Sequence, residues 1–385
     1  RPTLVRRARG FAPRPIRLPH PVGAPVLACG GAWKNTFALV EGGDAWVSPH
    51  VGDLESVEAC AAFDEAVDDL EALLGIRPAR VAHDLHPAWY PTRYARRRPE
   101  PRTAVAHHHA HAVSVMSEHG MRGPALALVW DGTGLGPDGT AWGGELLRVE
   151  PARFARLATF RPLPLPGADR AIAEPWRTAA AALDDAFDGA PPLDALPVFA
   201  DVPPERLRAV RQVARSPRLA PRAHGVGRLF DVGAALVLDR AASRYEGDTA
   251  LALETAAEGD ADAAPWPFAL RRAGATREID LRPALRALVA ARRGGATPSR
   301  LAARFHATLA AAGAEAVRAA QREVGPLPLV VAGGCFQNDL LVRGLRARLE
   351  PALPLHAACE LPPGDGGLAL GQAVVADALA REEGS

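Results

Sequence analysis

Three short loops rich in glycine and acid, each placed after an apolar run, constrain this chain more than any other feature. They are Asp131-Gly132-Thr133-Gly134-Leu135-Gly136, Val331-Ala332-Gly333-Gly334-Cys335-Phe336-Gln337-Asn338 and Gly364-Asp365-Gly366-Gly367. The runs before them are Ala125 to Trp130, Leu327 to Ala332 and Leu355 to Ala358. A strand that runs into glycine lets the backbone approach a ligand closely, and a helix starting behind it offers free amides to an anion. Singly, each loop is equally well a plain turn. Together they lie in both halves of the chain, and strand–glycine–helix units of this kind imply α/β architecture with a partly parallel sheet.

The remaining pattern fits two lobes. Residues 1 to about 25 are rich in Arg and Pro and read as a linker or the tail of something upstream. Three apolar runs follow (Val26 to Cys29, Thr36 to Val40, Ala45 to Ser48), separated by Gly30-Gly31 and Gly42-Gly43-Asp44, which predicts a β-meander. Leu54 to Leu74 has helical apolar spacing, and Arg80 to Leu85 and Trp142 to Val149 read as strands. Residues 150 to 220 read as helix and loop. Further helices are expected at Val226 to Leu238, Ala250 to Leu253, Pro298 to Val324, Asn338 to Leu349 and Leu368 to Ala380. The expected division is a tail at 1–25, a first lobe at 26–152 and a second lobe at 153–385, whose C-terminal helix can pack back on the first.

Composition removes several function classes. A length of 385 residues with 48% apolar content supports a full core in two lobes, and a formal net charge of +1 gives no reason to expect nucleic acid. Cys29, Cys60, Cys335 and Cys359 are widely spaced with no CxxC pair, which suits a reducing, cytoplasmic setting. No stretch reads as a signal peptide or a membrane span. The chain starts at Arg1 rather than Met, so a fragment or a processed product is expected.

Ala106-His107-His108-His109-Ala110-His111 leads into the helix-compatible run Ala112 to Met116. On a helix, His107 and His111 share one face, one turn apart, and can reach one ion with neutral imidazole nitrogens. Asp131 and Asp365, at the strand ends, can complete such a site. Two His with Asp oxygens suit iron, zinc or manganese. The competing reading is a surface His cluster. Lys34 is the single lysine among 45 basic residues, so it either marks a place that needs a compact ammonium, such as a phosphate oxygen, or survives by chance.

These segments resemble a known family almost end to end. Residues 27–56, HHHAH at 107–111, 131–145, LPGADRAIAEPWR at 165–177, GRLFD at 227–231, YEGDTALALE at 245–254, VAGGCFQN at 331–338 and GDGGLALGQA at 364–373 resemble the C-terminal part of the hydrogenase maturation carbamoyltransferases, the HypF family. The chain departs from the family pattern at His224, where a Ser is usual. The resemblance implies a two-lobed actin-like/Hsp70-like (ASKHA) nucleotide-binding fold with an interlobe cleft. It implies one divalent metal, iron or zinc, held by His107, His111, Asp131 and Asp365. It also implies an adenine nucleotide (carbamoyl-adenylate, ATP or AMP). Gly333, Gly334 and Asn338 would cradle the adenylate, Asp231 and Glu246 would meet the ribose, Lys34 would lie near the phosphates, and Asn35, Asp131 and Gly132 would also bind the nucleotide.

The same resemblance makes Lys34, His107 and His111 the candidate catalytic residues. It implies transfer of the carbamoyl group of carbamoyl-adenylate to the C-terminal cysteine thiolate of the partner HypE, a step toward the cyanide ligands of a NiFe-hydrogenase. The acylphosphatase and adenylate-forming domains of the family are absent from this chain, and residues 1–19 resemble the tail of the latter. Two other readings use the same site: an O-carbamoyltransferase with a small-molecule hydroxyl acceptor, and a non-catalytic metal- and nucleotide-binding docking module. His108 and His109 either tune a ligand or only pack.

Overall fold

The computed structural model describes residues 3–8, 10–257 and 263–384. Two sheets organise it. In the first, the strands run in the order Ile16–Arg17, Asp44–Val47, Ala38–Glu41, Val26–Ala28, Arg80–Asp84 and Arg102–Val105. Val26–Ala28 is antiparallel to Ala38–Glu41 and parallel to Arg80–Asp84, which is parallel to Arg102–Val105. The second sheet repeats the scheme. Arg153–Phe160, Ala141–Glu150 and Ala125–Leu135 form its antiparallel meander, and Leu329–Ala332 and Leu355–Ala357 add on in parallel. Each meander can turn back through a short loop, whereas each parallel addition needs a crossover, which in both lobes is helical.

Each scheme ends in a helix: His107–Glu118 after the first, Leu368–Glu383 after the second. These two helices pack against each other between the sheets. Their contact is close because Gly371 has no Cβ; one there would sit 1.8 Å from the Ala110 carbonyl oxygen. Ala110, Ala112, Val113, Leu368, Ala369 and Ala373 join Val26, Ala28, Ala127 and Val330 in one buried cluster that reaches both sheets. The apolar surface this removes from water, at roughly 25 cal/mol per Å², is the main force holding the lobes together.

The α/β reading, the N-terminal meander and the helices at the strand ends agree with the sequence. Three expectations need correction. The segment read as a linker or upstream tail is tied into the fold where it is described: Ile16–Arg17 pairs with Asp44 and Ala45, and Arg7 is fully buried, donating to the carbonyls of Phe11, Arg14 and Glu360. Pro and Arg hide such pairing from a periodicity argument. Within 150–220, Arg153–Phe160 is a strand; later in the chain, Ala269–Ala273 with Thr276–Asp280 form a hairpin at the sheet edge. Arginines on the exposed face break the apolar run of these strands. Finally, Ala125–Leu135 and Ala141–Glu150 belong to the second sheet, so the sheets divide the chain between residues 118 and 125 rather than at 152. We propose that earlier point as the lobe boundary.

Candidate metal and nucleotide site

The His segment is helical from His107, directly after the strand Arg102–Val105, and its start has no side-chain cap. The positive end of its dipole therefore faces the loops after the other strands, where carboxylates are favourable. His107 and His111 are fully buried, and their Nε2 atoms lie 3.1 Å apart. Asp131 Oδ2 lies 3.5 and 3.4 Å from those two nitrogens, and Asp365 Oδ1 lies 3.7 and 3.4 Å from them. One ligand atom from each of the four falls within 4.8 Å of the others. The edge of a tetrahedron around an ion with bonds of ~2.1 Å is about 3.4 Å, so these separations suit one ion.

The charges point the same way. Burial alone would lower the pKa of His107, but hydrogen bonds with Asp131 and Asp84 hold it well above the ordinary value. His111 is also raised against the effect of burial, by Asp131 and Asp365. Burial opposes ionisation of Asp131, yet the two imidazoles hold its carboxyl well below the usual range. The cluster thus binds positive charge, and a divalent ion would displace the protons.

The sequence reading missed the residue that orients His107. Asp84 is fully buried; its Oδ2 accepts from His107 Nδ1 at 2.8 Å, and its Oδ1 accepts the His86 amide at 2.9 Å. That bond keeps the proton on Nδ1 and leaves the Nε2 lone pair toward the cluster. An acid at the end of the Arg80 to Leu85 run, matching Asp131 and Asp365 at their own strand ends, was the available signal. Gly134 has a steric role: a Cβ there would lie 2.6 Å from His107 Cδ2 and 2.8 Å from His108 Cε1.

Lys34 and Glu246 meet across the two lobes at 2.6 Å. Lys34 has left-handed backbone (φ 46°), and its amide donates to Asp53 Oδ1 at 2.7 Å. Burial would lower the Lys34 pKa, but Glu246, and to a lesser degree Asp365 and Asp131, raise it. The lone lysine therefore lies beside the metal-donor cluster. Its loop is fixed there: Thr36 Oγ1 donates to the Gly366 carbonyl at 3.0 Å, and Gly30 exchanges hydrogen bonds with the Gln372 amide at 2.8 and 3.2 Å.

The other expected nucleotide residues make the following contacts within the protein. Asn35 is fully buried, and its Nδ2 donates to the carbonyls of Cys29 and Gly31, tying the loop rather than facing a phosphate. The amides of Gly132 and Gly334 donate to Asp131 Oδ1 at 2.9 and 3.2 Å, which turns Oδ2 toward the histidines. Gly333 takes the positive-φ turn (φ 100°) between strand and loop. Asp231 is buried, and its two oxygens accept from Arg228 Nε and Thr249 Oγ1, each at 2.6 Å, which ties it to its own helix and to the next one. Asn338 caps the helix Asp339–Leu349 by accepting the Leu341 amide at 2.9 Å, and its Nδ2 meets His306 Nε2 at 3.0 Å.

His109 packs on Phe154 with Nε2 at the Glu150 carbonyl, and burial pushes its pKa down to about 4. His108 lies against Trp142, 4.0 Å from the buried carboxyl of Glu145. Burial pushes the Cys335 thiol well up, which makes it a poor nucleophile.

Two parallel-extended sheets with their terminal helices crossed between them, and a four-donor cluster where the lobes meet, define a two-lobed Kae1-like domain of the actin-like class. Residues 21–118 match the family model described as the HypF Kae1-like domain, and residues 127–372 match "Carbamoyltransferase, Kae1-like Domain, second subdomain". The chain belongs to the HypF family, in its C-terminal Kae1-like part. It is 42% identical to the carbamoyltransferase HypF2 of Cupriavidus necator over 97% of this chain and 49% of that protein. It is also 39% identical to a carbamoyltransferase HypF homolog of the same organism, over 92% of this chain and 91% of that shorter relative. A crystal structure of full-length HypF in its phosphate- and nucleotide-bound form superposes with a TM-score of 0.92 at 32% identity, over 98% of this chain and 49% of that one. The chain thus spans about half the length of most curated relatives it matches. No helix among the described residues is long and apolar enough to cross a membrane.

Proposed function

We propose that this chain transfers the carbamoyl group of carbamoyl-adenylate to the C-terminal cysteine thiolate of HypE, one step in making the cyanide ligands of a NiFe-hydrogenase. The observation that carries this reading is the convergence of His107, His111, Asp131 and Asp365, from both lobes, on one point beside Lys34. The two imidazoles and two carboxylates would hold a divalent iron or zinc ion, which when bound supplies Lewis-acid neutralisation of a phosphate. Asp84 keeps His107 in the tautomer that can bind it.

Lys34 exchanges Glu246 for a phosphate oxygen when the adenylate enters, and it stabilises the negative charge that builds on AMP as the carbamoyl–oxygen bond breaks. A thiolate acceptor needs no further base, consistent with the absence of a Ser-His-Asp arrangement from the donor cluster. The adenylate-forming and acylphosphatase functions belong to other domains, and the four widely spaced cysteines fit a reducing cytoplasm.

Single-turnover transfer tests the reading. Metal-loaded chain mixed with carbamoyl-adenylate and HypE is expected to add one carbamoyl mass to the HypE C-terminal cysteine. His107→Ala and Asp365→Ala are expected to lose bound metal and at least about 10³-fold in rate, the scale of an electrostatic contribution to a charged transition state. Retained transfer in both variants would sink the metal-site assignment. Nucleotide and metal binding with HypE left unmodified would favour the docking module or a hydroxyl acceptor.

A further inference from the structure

Asp131 and Asp365 reach the donor cluster by different means. The amides of Gly132 and Gly334 hold the Asp131 carboxylate from beside it. Among the described residues, no backbone amide donates to the carboxylate of Asp365, whose partners are the imidazoles of His107 and His111. Its place is therefore set by the main chain that carries it.

That main chain is gripped by the helix that carries the two histidines. Glu118, the last residue of His107–Glu118, faces the loop that runs from the strand Leu355–Ala357 toward Asp365. Its Oε2 accepts the Cys359 amide at 2.6 Å, and its Oε1 accepts those of Glu360 and Leu361 at 3.1 and 2.7 Å. Three successive amides around one carboxylate form a nest, and bonds to a charged acceptor are the stronger kind. Burial lifts the Glu118 pKa, and the three amides and His119 counter that lift. Two neighbours reinforce the grip: His119 Nε2 meets the Ala357 carbonyl at 2.8 Å, and the buried Arg7 donates to the Glu360 carbonyl at 3.4 Å.

Between the grip and the donor stand Pro362, Pro363 and Gly364, all buried. Two locked φ angles make this link stiff. The Pro363 carbonyl accepts the Gly333 amide at 2.8 Å, and beyond Asp365 the Gly367 carbonyl accepts from Ser114 Oγ, on the histidine helix, at 2.8 Å. A shift at residues 359–361 thus carries through to Asp365 with little slack.

We propose that Glu118 is a positioning residue for the metal site: by holding Cys359, Glu360 and Leu361 against the histidine helix, it sets Asp365 at ligand distance from His107 and His111. This rests on the metal-site reading above. Glu118 acts through the loop and does no chemistry.

Zinc affinity of the full chain, read by competition with a metal-binding dye, tests it. Glu118→Gln turns an amide donor toward amides that need an acceptor. It is expected to weaken zinc binding about 10- to 100-fold, the scale on which outer partners of a metal ligand act. In an Asp365→Ala background the same change is expected to matter less than about twofold, because the residue it acts through is gone. Pro362→Gly keeps the Glu118 bonds but slackens the link, and it is expected to weaken zinc about tenfold, again only where Asp365 is present. Urea midpoints of the zinc-free variants show which chains are folded. Lowered midpoints with unchanged zinc affinity in Glu118→Gln and Pro362→Gly would make the grip merely structural and overturn the proposal. Equal losses of affinity with and without Asp365 would overturn it too. If Asp365→Ala alone binds zinc as tightly as the unmodified chain, the metal-site reading falls and the positioning role with it.

Discussion

The metal-donor cluster and the residues around the Gly333-Gly334 loop carry equally strong family motifs, yet the fold uses them differently. At the cluster, His107, His111, Asp131 and Asp365 turn ligand atoms toward one another, with separations of 3.1 to 3.7 Å among the pairs that include an imidazole. Around the loop, Asp231 and Asn338 each have both side-chain polar atoms engaged within the protein, by Arg228, Thr249, Leu341 and His306. A motif residue can thus be a ligand or the scaffold of a ligand. What separates the two is whether its donors and acceptors remain free after folding.

The largest effect that sharpens this contrast concerns Glu145, a motif acid wholly committed to scaffold. It is fully buried and accepts the amides of Gly143 and Gly144 at 2.6 and 2.7 Å and the Thr159 hydroxyl at 3.0 Å. Burial nevertheless pushes its pKa up to about 7. A carboxyl raised in the folded state binds more protons there than in the unfolded chain, so its contribution is fully present below the unfolded value and is lost as pH rises toward 7. Relative to Glu145→Gln, the unmodified chain is expected to lose up to about 3 kcal/mol of stability between roughly pH 4.5 and 7. Denaturant midpoints measured across that range check it, and a difference independent of pH would mean Glu145 is charged when folded.

Asp84 provides the next test, on the ligand side. Asp84→Asn keeps the shape but weakens the hold on His107 Nδ1, and metal affinity is expected to fall about 10- to 100-fold. Competition with a metal-binding dye reads this directly. Unchanged affinity would place Asp84 with the scaffold and blur the contrast.

The smallest effect could break the contrast outright. Asn338→Ala is expected to cost about 1 kcal/mol of stability through loss of a helix cap, with AMP affinity changed less than about twofold. Calorimetric AMP titration decides it; a drop of tenfold or more would make Asn338 a nucleotide ligand after all.

How much of this was legible beforehand follows from the same physics. The helical spacing of His107 and His111, the acids at strand ends and the isolated Lys34 were readable because they are local patterns set by helix period, strand termini and composition. The strand at Arg153–Phe160 was not, since Arg153 and Arg156 interrupt its apolar alternation, and neither was the pairing of Ile16–Arg17. Asp84 carried only the weak signal of an acid after an apolar run.

By itself, the sequence determined the α/β class, the repeated strand–glycine–helix units and the four residue types suited to a metal. These depend on side-chain chemistry and on periods of two and 3.6 residues along the chain. Only the tertiary structure decided that His107 and His111 meet acids about 20 and 250 residues away. It also decided that Gly132 and Gly334 orient Asp131, and that Asn35, Asp231 and Asn338 turn inward. Which polar atoms are left free is settled when the two sheets close on their packed helices, because most buried donors and acceptors must then find a partner, and that accounting is global.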